Sequence, residues 1–160
     1  MKIAKIVSNL LCVSVLSLGA IATVSAHDNA YFDSIKSANG GQTRMAGVYH
    51  FELVLAKGSK EAKENPITVY VTDHASKALA TAGGTATLTI VQGKNKSTVT
   101  LLPSGTNQFT GKGVYASNAN FKGALTVTMA GKPAEQARFT PFAPVKAAPA
   151  KKEAEHEHHH

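Results

Sequence analysis

Polar and apolar residues alternate along residues 44–55 of the chain. One side of this segment is aromatic and leucine-rich: Tyr49, Phe51, Leu53 and Leu55. The other side carries Val48, His50, Glu52 and Val54, with Met45 just upstream. Because successive side chains of a strand point to opposite faces, this alternation predicts one β-strand with a core face and a polar face.

Further short segments along the chain carry the same kind of signal. Pro66 opens a strand at residues 67–72, and others are predicted at 85–92, 97–102, 107–115, 123–130 and 135–140. Gly-, Pro- and Asn-containing turns separate them at near-regular intervals, and no helix of ordinary length is indicated. The pattern predicts an all-β protein, an antiparallel immunoglobulin-like β-sandwich of about seven strands. A small Greek-key barrel is the alternative.

The two ends of the chain differ from this middle part. Residues 1–26 combine basic Lys2 and Lys5, an apolar run and the small-residue site Val24-Ser25-Ala26, which is the pattern of a cleaved signal peptide. Cleavage after Ala22 is an alternative. The sequence therefore predicts export to the periplasm, with no membrane anchor after cleavage.

Composition then divides the exported chain into three parts. Residues 27–42 are polar and contain Gly and Asn, and we expect an extended N-terminal arm there. Residues 43–141 form the predicted β-sandwich domain. Residues 142–160 are rich in Pro, Ala and Lys and end in histidines, which predicts a disordered linker with a His-rich tail.

Cysteine content and charge exclude several function classes. Cys12 is the only cysteine and leaves with the signal peptide, so thiol catalysis, iron–sulfur clusters and tetrathiolate zinc are excluded. The formal charge of +7 falls to +5 without Lys2 and Lys5, and the other lysines are scattered. Nucleic-acid binding is therefore not expected. No serine-nucleophile motif or phosphate-binding glycine loop occurs, so we do not expect an enzyme.

Matching the apolar faces of the first two strands places two histidines together. Pairing Leu55 with Ile67 sets Thr72 opposite His50, with His74 diagonal to it. A shift of two residues keeps the faces matched and sets His74 directly opposite His50. In both registers the imidazoles share one face with Cβ atoms roughly 5–8 Å apart, a spacing that one metal ion can bridge.

Met45 and Glu52 are the nearest additional donors to this pair. Each of these residues also has an ordinary structural interpretation. The histidines can be plain polar surface residues, Glu52 can pair with a lysine, and Met45 can fill the end of the core. Asp73, which precedes a turn, is expected to act as an Asx-turn residue.

Histidines at the two ends form further candidate sites. If cleavage follows Ala26, His27 becomes the first residue, and its amine and imidazole together can chelate copper(II). The tail histidines are interleaved with glutamates and can bind copper, zinc or nickel: His156, His158, His159 and His160. A purification tag is the alternative explanation of the tail.

Several stretches resemble a family of small exported bacterial proteins whose genes often stand beside heavy-metal resistance and efflux genes. They are residues 27–33, residues 39–54 with Tyr49-His50-Phe51-Glu52-Leu53-Val54, residues 69–75, and residues 137–141. The resemblance implies a periplasmic location and a link to copper or related metals, and it implies no known activity. Relatives often carry His-Gly-Gly where this chain has Asn39-Gly40-Gly41.

The combined hypothesis is a periplasmic metal-binding protein, with copper (Cu+ or Cu2+) the first choice and zinc or nickel possible. It would act as a buffer or carrier in metal homeostasis or resistance, with a periplasmic component of a metal-efflux system as a possible partner. The alternative hypothesis is an immunoglobulin-like envelope interaction module in which the histidines are incidental.

Overall fold

The computed structural model describes residues 29–144, which form one short helix and eight β-strands. The helix α1 spans Asn29–Ser34. The strands are β1 Gln42–Ala46, β2 Tyr49–Leu55, β3 Lys63–Thr72, β4 Thr85–Gln92, β5 Asn95–Ser104, β6 Gln108–Tyr115, β7 Phe121–Thr128 and β8 Ala134–Phe139. No helix in this part of the chain is long and apolar enough to cross a membrane.

All of these strands pair antiparallel in one sheet of order β1-β2-β3-β6-β5-β4-β7-β8. Strands β4, β5 and β6 follow one another as hairpins and β7 returns beside β4, which is a Greek-key arrangement. The two ends of the sheet approach each other, because Thr140 N–H donates to Gln42 Oε1 at 2.8 Å. The sheet is therefore nearly closed and barrel-like.

The predicted all-β antiparallel class is confirmed, with eight strands in place of about seven. The topology does not confirm the immunoglobulin-like arrangement. Strand β5 explains why the sheet is continuous, since Ala86–Gln92 of β4 pairs with its first part and β6 pairs with its last three residues, from Leu102 to Ser104. The strand thereby joins a front half (β1, β2, β3 and β6) to a back half (β4, β7 and β8).

The apolar faces of both halves point inward and form one core. The aromatic and leucine side predicted for the first strand is buried, and Phe51 and Leu53 are completely inaccessible. The largest other buried side chains are aromatic: Tyr115, Phe109, Phe121 and Phe139. Burial of such side chains contributes about 1.5–3 kcal/mol each, so this core stabilises the chain without disulfides.

The predicted single strand over residues 44–55 is wrong in one respect. Gly47 has a positive φ of 56° and, with exposed Val48, forms the turn of a hairpin between β1 and β2. Glycine adopts this backbone conformation at little cost, which is why the chain can reverse there. As a result Met45 does not extend the strand of His50. It pairs directly across from His50 on β1.

The N-terminal arm also differs from its prediction. We expected extended chain over residues 27–42, whereas residues 29–34 form α1 and Gly40 forms a turn with a φ of 74°. Phe32 of α1 is buried against the sheet. This apolar contact with residues distant in sequence stabilises a six-residue helix that would be marginal alone.

Candidate metal site

Strands β2 and β3 pair in the first of the two registers predicted from the sequence. Leu55 lies opposite Ile67, and His50 lies opposite Thr72. The alternative shift of two residues is excluded by this register. Both histidines therefore belong to the outer face of the front half, His50 within β2 and His74 just beyond the end of β3.

The imidazole rings of His50 and His74 are stacked. Their centroids are 5.0 Å apart and their planes differ by 18°. Two imidazoles bound to adjacent positions of one ion, at a metal–nitrogen distance of about 2.0 Å, have centroids about 4.5–5.5 Å apart. His50 is half-buried and His74 is exposed. The separation suits one ion, and the near-parallel planes require the exposed His74 ring to turn.

A tight turn after β3 positions His74. Asp73 Oδ1 accepts hydrogen bonds from Ala75 N–H and Lys77 N–H, both at 2.9 Å. Asp73 N–H donates to the Lys77 carbonyl at 3.0 Å, and Ser76 adopts a φ of 61°. The Asx-turn role predicted for Asp73 is confirmed. Its carboxylate shapes the loop that presents His74.

The helix α1 also packs against His50. The Phe32 ring meets the His50 ring edge-on, with centroids 5.0 Å apart and an angle of 73°. Asp33 binds the Arg44 guanidinium through both carboxylate oxygens, at 2.8 and 3.0 Å, and so fastens α1 to β1. The sequence pattern did not predict the contact of Phe32 with His50 or the ion pair of Asp33 with Arg44. The one indication that this polar arm packs on the sheet is its apolar set Tyr31, Phe32 and Ile35.

Glu52 is buried beneath the loop that follows α1. Its Oε1 accepts from Asn39 N–H at 2.8 Å and Gly41 N–H at 2.9 Å, and its Oε2 accepts from Asn39 Nδ2–H at 2.8 Å. The carboxylate thus holds the loop of residues 39–41 against the sheet. Asn39 contributes both its backbone N–H and its side-chain amide to this contact.

Met45 faces the same side as His50 because the two residues are direct cross-strand partners. Direct partners have Cβ atoms about 4.5–5.5 Å apart, within reach of a thioether side chain. Met45 is half-buried. The outer face therefore carries the row Met45, His50 and Thr72, with His74 diagonal to its centre.

The two histidines line an open cleft of about 380 Å³ between α1, its following loop and the front half. Tyr70, Asn107 and Ser76 contribute polar atoms to its wall. Within residues 29–144, no group of three or more His, Cys, Asp or Glu side chains is arranged to hold a metal. A third donor supplied by residues 29–144 would therefore be of another kind.

The remaining predicted ligands lie outside the described residues: His27, His156, His158, His159 and His160. The structure thus brings His50 and His74 together, sets Met45 on β1 directly across from His50, and commits Glu52 to the loop of residues 39–41. Comparison of the chain with protein-family models, curated proteins and solved structures finds no match.

Proposed function

We propose that the chain is an exported, periplasmic metal-binding protein that acts as a buffer or carrier. Copper is its principal metal, and zinc or nickel bind more weakly. One observation carries the proposal, the 5.0 Å separation of the His50 and His74 rings on one sheet face. Imidazole binds copper, zinc and nickel alike, and the thioether of Met45 shifts the preference towards copper.

The predicted terminal sites would supplement this pair. His27 and the tail histidines would collect metal with low specificity, and the folded domain would hold it in a defined geometry. A protein that collects metal at its termini and holds it in its folded domain could pass it to a partner, and the partner we propose is a periplasmic component of a metal-efflux system. Export is tested by sequencing the N-terminus of the protein recovered from the periplasm, which should begin at His27.

Calorimetric titration of the mature chain tests the folded-domain site. The terminal ligands are first replaced by serine: His27, His156, His158, His159 and His160. Copper should then bind with a Kd tighter than about 10 µM, and the double variant His50→Ala/His74→Ala should weaken binding at least about tenfold. Thr89→Ala, on the back half, is the control and should leave the affinity unchanged. Absence of copper binding in both oxidation states would refute a folded-domain site.

An immunoglobulin-like envelope interaction module is the second candidate, and the outer face of the back half favours it. Lys96 and Lys122 flank Val91 in one row, and Arg138 lies in the next row beside Ala124. All three cations are exposed, and β4, β5 and β7 contain no acidic residue. Such a face suits an acidic partner.

This second function makes a different prediction for the same variants. The double histidine variant would keep both its metal affinity and its partner in affinity capture. Reversing the charge of Lys96, Lys122 and Arg138 to glutamate would release the partner, with no effect on metal binding. The two sets of variants therefore separate the two functions.

A further inference from the structure

The geometry points to a site selective for copper(I), with His50, His74 and Met45 as its three ligands and Glu52 excluded. This inference rests on the proposed metal-binding function and specifies which ion that site takes. Sequence alone left the choice open, since methionine would suit copper(I) and a carboxylate would suit copper(II) or zinc.

The oxygen donors beside the histidines already have structural partners. Glu52 is buried, and both of its carboxylate oxygens accept hydrogen bonds from the loop of residues 39–41. Asp73 Oδ1 accepts two backbone hydrogen bonds in its own turn. Ligation by Glu52, or by Asp73 through Oδ1, would compete with bonds that hold a loop in place. A divalent ion that prefers carboxylate ligands therefore binds Glu52 only with local rearrangement.

A soft donor occupies the complementary position. Met45 lies on β1, directly across from His50 of β2, and on the face that His74 shares. Thioether sulfur favours copper(I), which is stable with only two or three ligands, whereas zinc in proteins generally takes four. A set of two imidazoles and one thioether fits the first ion better than the second.

The packing of α1 acts in the same direction. Phe32 is 8% exposed, and its ring lies against His50, so one side of the site is apolar. The cost of removing an ion from water rises with its charge. A monovalent ion therefore loses less than a divalent ion when it binds beside an aromatic ring.

Copper(I) affinity is measured by competition with a chromophoric copper(I) chelator under reducing conditions, and copper(II) and zinc affinities by calorimetry. The protein is the mature chain with its five terminal histidines replaced as above. Met45→Leu keeps side-chain volume and removes the sulfur, and we expect it to weaken copper(I) binding by about tenfold or more. Met129→Leu, in the core, is the matched control and should leave the affinity unchanged.

Glu52→Gln provides the opposite test and should change copper(I) affinity by less than about twofold. X-ray absorption of the copper(I) complex should show sulfur in the first coordination shell, and Met45→Leu should remove that signal. Urea denaturation of each variant shows whether a loss of affinity comes from unfolding.

The outcomes separate this inference from the proposed function. Binding of copper(II) or zinc more tightly than copper(I), or a dependence on Glu52 without one on Met45, overturns the copper(I) assignment and leaves a metal-binding protein. Loss of affinity in Met129→Leu equal to that in Met45→Leu also overturns it. Failure of every metal to bind overturns both.

Discussion

The hydroxyl of Tyr115 joins three strands of the front half, and its removal is the sharpest test of how that half is held. The side chain is completely buried on β6. Its oxygen accepts from Ala56 N–H at 2.9 Å, just after β2, and donates to the Pro66 carbonyl of β3 at 2.6 Å. Tyr115→Phe removes both hydrogen bonds and leaves the ring in place.

The expected loss follows from these two bonds. Each contributes about 0.5–1.5 kcal/mol net, and both bonds are partly buried. We therefore expect Tyr115→Phe to lower the free energy of unfolding by about 2 kcal/mol. For a domain of this size that corresponds to a fall in Tm of roughly 10 °C.

The same residue predicts a pH dependence. Burial raises the pKa of Tyr115 above 10.0, and the hydrogen bond from the Ala56 backbone opposes part of this shift. A group whose pKa is higher in the folded than in the unfolded state keeps its full stabilising effect below the unfolded value. That effect is lost as pH rises above about 10 and through the folded pKa. The stability difference between wild type and Tyr115→Phe should therefore be constant from pH 7 to about 9.5 and shrink above it.

Urea denaturation followed by circular dichroism, at several pH values between 7 and 11, measures both effects. Tyr49→Phe is the matched control, because Tyr49 is also a buried tyrosine and its hydroxyl makes no hydrogen bond to the backbone of residues 29–144; it should lose less than about 0.5 kcal/mol. A Tyr115→Phe variant as stable as Tyr49→Phe, or a stability difference that does not change up to pH 11, would refute the reasoning.

Three further substitutions test the packing around the histidines. Gly41→Ala should lower the free energy of unfolding by about 2–3 kcal/mol, because the new Cβ would lie 2.4 Å from the Leu53 carbonyl oxygen, and thermal melting measures this. Asp33→Asn should cost about 1–2 kcal/mol by weakening the bidentate pair with Arg44, and faster amide exchange in α1 should accompany it. Asp73→Ala should cost about 1 kcal/mol in urea denaturation and also weaken copper binding, because the turn that presents His74 loses two hydrogen bonds.

Each of these has a result that would count against it. Wild-type stability in Gly41→Ala would mean that β1 and β2 can separate locally at no cost. Unchanged exchange in Asp33→Asn would mean that Phe32 alone holds α1. Unchanged copper affinity in Asp73→Ala would mean that the position of His74 does not depend on its turn. Gly93→Ala is a comparison without a steric clash: nothing lies within 4 Å of a Cβ there, and the φ of 60° should by itself cost an alanine about 1–2 kcal/mol.

Much of the sheet was predictable because strand signals are local. Thr85–Gln92 is a strand at the predicted bounds, and the other segments, apart from the hairpin at residues 44–55, differ from prediction by a few residues at their ends. The largest of these end differences is in β3, which begins at Lys63 because its first residues pair with β6 as far as Tyr115. That pairing joins residues about fifty positions apart, which no local pattern reports.

The candidate site, like the sheet, was only partly predictable from the sequence. Side-chain parity and the matching of apolar faces were enough to bring His50 and His74 to the same face, because this follows from the two-residue period of an extended chain. They left two registers open, and only the folded chain decides that His50 lies opposite Thr72. The reversal at Gly47, which moves Met45 across from His50, and the capture of Glu52 by residues 39–41 depended on the folded chain. Turns and buried hydrogen bonds are selected by the packing of distant segments, and that packing exists only once the barrel has formed.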